Sequence, residues 1–135
     1  MKRKFVFILS FIFCANVMFS QEKPEIFYDL EQALENADGV KYLDLSYKKL
    51  ETLPAAVLKF KNLEYLNLSG NPISHLPIYI GELKNLIILD LSNIPDLNIQ
   101  DAFEKIGKMN LQKLDIKESG LNKSKTKELS LNSNI

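Results

Sequence analysis

From Leu63 to Leu83 the chain alternates apolar and polar residues on a fixed frame. Leu63, Leu66, Leu68, Asn71, Ile73 and Leu76 fit L-x-x-L-x-L-x-x-N-x-L-x-x-L without a gap. Moving the frame back 23 residues places Val40, Leu43, Leu45, Leu50 and Leu53 in the same slots, and moving it forward places Leu86, Leu89 and Leu91 there. A constant period with constant apolar slots implies one structural unit copied and stacked, each unit burying its apolar face on the next. Around the second and third slots the alternation has period two, which predicts short strands at Tyr42–Leu45, Tyr65–Leu68, Ile88–Leu91 and Lys113–Ile116. Leu43 and Leu45, Leu66 and Leu68, Leu89 and Leu91, and Leu114 and Ile116 then face inward, and the residues between them face outward.

Between strands the chain must return. Leu53-Pro54 and Leu76-Pro77 mark the turns, and residues 55–60 and 78–83 read as short helical or 3₁₀ returns, with Val57, Phe60, Ile80 and Leu83 as a back layer. The third unit is longer, with 25 residues from Leu86 to the start of the fourth at Leu111 rather than 23. Its insertion falls in residues 93–103, and a helix is expected over 101–108 with Phe103, Ile106 and Met109 on its buried face. The fourth unit keeps Leu111, Leu114, Ile116 and Leu121. A short closing helix over 123–130, with Leu129 and Leu131 over the last strand, is expected within a C-terminal cap at 122–135. Ahead of the first unit, Asp29 begins a helix over 29–38, with Gln32 at the third helical position and Gly39 as the stop. Leu30, Ala33, Leu34 and Ala37 form its apolar face, so it suits a cap over the first strand of the stack; a partner-binding helix is the rival reading.

These residues resemble the leucine-rich repeat family, over about residues 29–135. The repeats, starting at 40, 63, 86 and 111, are similar to the LP-containing 23-residue class found in small exported bacterial proteins. The resemblance implies an α/β solenoid: a short right-handed horseshoe with a parallel sheet on its concave face and short helices or 3₁₀ turns on its convex face. It also implies protein binding on the concave sheet. Enzymes of this family carry catalysis on a separate domain, for which no room is left here. The family's asparagine slot is poorly kept, since Asn71 fits but Lys48, Ile94 and Ser119 occupy the matching positions, with Asn93 one place early. Buried backbone groups there need other partners.

Residues 1–20 read as a secretory signal: Lys2, Arg3 and Lys4, an apolar run from Phe5 to Phe13, then Ser20 before Gln21. The apolar stretch is shorter than the ~20 residues that span a bilayer. Residues 21–28 follow as a leader. Membrane attachment would require that the signal stay on the chain or that Cys14, which Phe13 makes a poor lipidation site, be acylated. Cys14 is the only cysteine, so a processed domain would contain none, and stability would rest on stacked leucines rather than disulfides. Absence of the cysteine-rich caps common in animal relatives points to a bacterial secretory or envelope protein, and sequons at Asn67 and Asn122 would matter only in a eukaryotic route.

Formal net charge is zero over the chain and about −3 once the three N-terminal cations are removed, leaving 14 basic against 17 acidic residues. No basic surface favours nucleic acid. Outward positions form three ladders: Tyr42, Tyr65, Ile88 and Lys113; Asp44, Asn67, Asp90 and Asp115; Ser46, Ser69, Ser92 and Lys117. Tyr47 and Ile87 lie at the margins. Aromatic rings beside carboxylates suit binding, so the first two ladders are the candidate ligand-binding residues, although L-D-L-S and L-N-L-S are also ordinary strand sequences of such repeats. One histidine, His75, and no cysteine after processing leave no triad or zinc set, a flat Asp90–Asp115 pair offers calcium few converging oxygens, and a shallow sheet is a poor glycosidase pocket. The expectation is a monomeric, non-catalytic module without cofactor or metal, binding protein or glycan; the alternative is a structural, self-associating envelope protein.

Overall fold

A computed structural model describes residues 23–120. The expected signal, Leu121 and the C-terminal cap lie outside the described residues. Five short strands form one parallel sheet in chain order: β1 (Ile26–Phe27), β2 (Tyr42–Asp44), β3 (Tyr65–Asn67), β4 (Ile88–Asp90) and β5 (Lys113–Asp115). Register follows the sequence frame, with Leu43, Leu66, Leu89 and Leu114 opposite one another across the strands. Leu43, Leu45, Leu66, Leu68, Leu89 and Leu91 are buried, as are Val57, Phe60, Ile80 and Leu83 behind them. Each buried leucine contributes roughly 1.5–3 kcal/mol, so the stack is the main source of stability. Parallel strands need a crossover connection between them, and here each crossover from β2 onward is the convex return of one repeat.

What begins each return decides its form. Pro54 (φ −64°) and Pro77 (φ −70°) open the 3₁₀ segments Ala55–Lys59 and Ile78–Glu82. In the longer third repeat Asn98 stands instead, its side chain accepting from the Asp101 N–H at 3.1 Å, and the α-helix α2 (Ile99–Ile106) follows. Asp101 and Lys105 pair along it at 2.7 Å. The helix begins two residues before the expected start, and its buried positions are Ala102 and Ile106, with Met109 half-buried. Phe103, expected inside, is 47% exposed: Ala102 holds the inward position, which turns the next residue outward by a helical step of about 100°.

At the other end α1 (Leu30–Glu35) is capped by Asp29, whose carboxylate accepts from Gln32 N–H at 3.0 Å. It packs on β1 and on the first 3₁₀ return, with Ala33 buried. The cap is shorter than the sequence suggested, because Asn36 ends α1 and a 3₁₀ turn, Ala37–Gly39, completes it. Residues 26–27, expected to belong to a leader, are instead the first strand: Ile26 and Phe27 align with Tyr42 and Leu43, and Phe27 is buried.

The turns after the strands share a backbone rule. Tyr47, Gly70, Asn93 and Glu118 stand at one position of the four repeats, and all have φ between 55° and 66°. Three of them donate their N–H to the next repeat: Tyr47 to Ser69, Gly70 to Ser92 and Asn93 to Lys117. The early Asn93 is therefore no displaced member of the asparagine ladder. It fills the left-handed position, which asparagine tolerates better than most residues. Two places on, Lys49 and Gly120 are again left-handed, whereas the inner repeats carry Pro72 and Pro95.

The asparagine ladder itself works at alternate repeats. Asn71 Oδ1 accepts from Lys48 N–H and Leu50 N–H (2.9 and 3.0 Å), and its Nδ2 donates to Leu45 and Leu68 carbonyls, both at 2.8 Å. Ser119 repeats the clamp between the fourth and third repeats, its Oγ accepting from Ile94 N–H and donating to Leu91 O. Lys48 and Ile94 need no polar side chain there, because their neighbours reach back to their backbones. A second asparagine pair ties the turns before the strands, with Asn62 Nδ2 on Asp38 O and Asn85 Nδ2 on Lys61 O, each at 2.8 Å.

An unpaired backbone group out of water costs about 1–3 kcal/mol, so Asn71→Ala, which takes the partner from at least four groups, should destabilise by about 4 kcal/mol or more and Ser119→Ala, which takes it from two, by about 2 kcal/mol or more. Urea melts with equal losses for the two variants would contradict the clamp assignment.

Candidate functional site

On the concave face the sheet brings together the expected outward residues. Tyr42, Tyr65, Ile88 and Lys113 align across β2–β5, as do Asp44, Asn67, Asp90 and Asp115. Tyr42, Tyr65 and Ile88 are half-buried, whereas Lys113 is exposed. The Tyr42 and Tyr65 rings lie 6.4 Å apart between centroids, tilted by 41°, within the range of favourable aromatic pairs.

The strip is longer than the sequence reading made it. Ile26 sits opposite Tyr42 and is 38% exposed, so it extends the first ladder by one strand. Tyr28, exposed just beyond β1, lies close enough to Tyr65 to affect its ionisation. Sequence reasoning missed both, because a strand of two residues is too short to show an alternation.

The carboxylate ladder has a structural task as well. Asp44, Asn67, Asp90 and Asp115 each accept, through Oδ1, the N–H two residues on, at 2.9–3.0 Å. These turns close the C-terminal ends of the strands. Asn67 performs this as well as the three aspartates, so the turn requires an oxygen and not a charge. Asn67 Nδ2 also donates to Asp44 Oδ2 at 3.2 Å, and Asn67 is buried. Thus Asn67 is the least accessible of the expected ligand-binding residues. Burial first, and then the charges of Asp44 and Asp90, raise the Tyr65 phenol above its ordinary value of 10.0; a hydrogen bond with Asn67 partly opposes them.

Tyr47, at the margin, lies over Gly70: a Cβ added there would come within 2.3 Å of its ring. His75 is exposed, with Nδ1 3.1 Å from Ser74 Oγ. Asp90 and Asp115 are neighbours in register, but among the described residues no group of three or more histidine, cysteine, aspartate or glutamate side chains could hold a metal. Concavities of about 310 Å³ and 430 Å³ lie near the first repeat: one is lined by α1 residues with Leu45 and Leu50, the other by residues 23–25 with Lys41 and Tyr42.

A family model for the leucine-rich repeat matches residues 62–83, the unit whose slots the structure repeats on either side. The described residues have a leucine-rich repeat fold. Among solved structures, a leucine-rich repeat protein of Leptospira interrogans is similar to it at 25% identity, over 70% of this chain and 36% of that one, with a TM-score of 0.36. The chain thus spans about a third of that protein's length. No curated protein matches it.

In this leucine-rich repeat sheet the raised Tyr65 pKa has a definite sign. The protonated phenol is favoured by folding, so its contribution to stability is present below pH 10 and is lost as pH rises through the folded value. Ultraviolet titration should show a phenol ionising above pH 10 that disappears in Tyr65→Phe. An unchanged titration curve in the variant, apart from loss of a phenol at the ordinary value, would contradict the assignment.

Proposed function

We propose that this leucine-rich repeat domain is a non-catalytic binding module that takes a protein on its concave sheet, in the periplasm or at the cell envelope. The observation that carries the reading is the in-register strip of Ile26, Tyr42, Tyr65 and Ile88 on four adjacent strands. At ~4.8 Å per strand it runs about 14 Å. Tyrosines held in a sheet present contact area with little rotamer entropy left to lose, which suits anchor residues. The asymmetry between a buried leucine face and this outward face means that the surface can vary without disturbing the stack. Export is supported by the basic and apolar pattern of residues 1–20.

The alternative reading is a structural, self-associating envelope protein. Sedimentation over a concentration series distinguishes the two readings, since the binding module should stay monomeric.

For the principal reading, proteins captured from an envelope extract by the immobilised chain should be lost with Tyr65→Ala. Truncating a central aromatic anchor typically costs about 2 kcal/mol or more, roughly a thirtyfold loss of affinity. Exposed Glu82, on the convex return, should tolerate alanine. Loss of capture by Glu82→Ala, with Tyr65→Ala unaffected, would move the site to the convex side.

A further inference from the structure

We infer that the concave site is built to take an arginine side chain of its protein partner, stacked on Tyr65 with Asp44 and Asp90 on either side. The inference rests on the binding reading above and specifies the chemistry of the partner.

Three observations converge on Tyr65. Its ring is half-buried at the middle of the sheet, paired with Tyr42 along the strip. Asp44 lies one strand before it and Asp90 one strand after it in the adjoining ladder, and both carboxylates act on its phenol. The outward positions of β2, β3 and β4 are Tyr42, Asp44, Tyr65, Asn67, Ile88 and Asp90, with no cation among them. Lys41, just ahead of β2, is tied to Glu64 at 3.1 Å. The sign reverses only at β5, where Lys113 points outward and Lys117 follows.

This is a charge pattern that complements a cation. A cation over a tyrosine face is attracted by the ring quadrupole, and neighbouring carboxylates add charge-assisted hydrogen bonds. Guanidinium suits the site better than ammonium, because it is planar, stacks on an aromatic ring and keeps donors at its edge for carboxylates lying to the side. The carboxylates are spaced two strands apart, about 10 Å, so a guanidinium centred over Tyr65 can turn its edge to either. Turn closure alone does not account for the charges, since Asn67 closes its turn with a neutral amide. Lys113 sets the polarity: the basic group of the partner belongs over β2–β4, away from β5.

The same asparagine makes a clean test possible. Asp44→Asn and Asp90→Asn keep the oxygen that closes each turn and remove the charge; at Asp44 the change also gives up the bond that Oδ2 accepts from Asn67 Nδ2 at 3.2 Å. The probe is a capped Gly-Arg-Gly-Arg-Gly peptide, with a citrulline version as its neutral isostere, followed by chemical shifts of the Tyr65 ring in the full chain. The arginine peptide should shift the Tyr65 ring and the citrulline peptide should not. The double variant Asp44→Asn/Asp90→Asn should weaken binding roughly five- to tenfold at low salt, with urea stability near wild type. Equal shifts from both peptides, no shift from either, or undiminished binding by the double variant would overturn the inference. In the envelope capture experiment, loss by Tyr65→Ala with retention by the double variant would leave the concave binding module standing and remove only the arginine assignment.

Discussion

Every other feature of this protein depends on register. Leu43, Leu66 and Leu89 stack in line only because each repeat returns the chain to the same point on the sheet. A strand displaced by one residue would send its leucines outward and its tyrosine or aspartate into the core. Three residues per strand are too few to hold that alignment alone. The backbone is fixed further by the left-handed position after each strand and by Asn71 and Ser119, which each tie one repeat to the one before. Apolar burial supplies the driving force, and these polar clamps select the one alignment in which it is complete.

A scaffold of this kind separates stability from recognition. Inward and outward residues alternate along each strand, so the leucine layer and the Tyr42–Tyr65–Ile88 strip share a backbone but not an environment. The aspartates are the exception. They close their own turns and also face outward, so a role in recognition would be carried by their charge and not by their shape. Asn67 demonstrates the difference within the molecule, since it closes the same turn without a charge and is buried.

Much of the fold was legible because leucine periodicity reports a long-range packing requirement directly in the sequence. The strands, the 3₁₀ returns after Pro54 and Pro77, and the Asp29 cap all followed from local chemistry. Ile26–Phe27 did not, because a two-residue strand has no periodicity to detect; it is a strand only by pairing with β2. Phe103 was placed inside because large apolar residues usually are, but the geometry of α2 gave that place to the smaller Ala102. The backbone role of Ser119 was equally hidden. One hydroxyl reaching back 25 residues to Ile94 leaves no pattern in a single copy. At the site, the ladders were legible from alternation, but the additional strand that contributes Ile26 was not.

Tyrosine footprinting tests the central claim, that recognition uses the outward ladder of the sheet, most directly. The chain has five tyrosines. Tyr28, Tyr42 and Tyr65 lie on or beside the concave strip, whereas Tyr79 sits on a convex return, its hydroxyl bonded to Leu53 O. Chemical labelling of the chain, free and after incubation with envelope extract, should show protection of Tyr42 and Tyr65 with Tyr79 unchanged. Protection of Tyr79, with Tyr42 and Tyr65 labelled as in the free protein, would contradict the account.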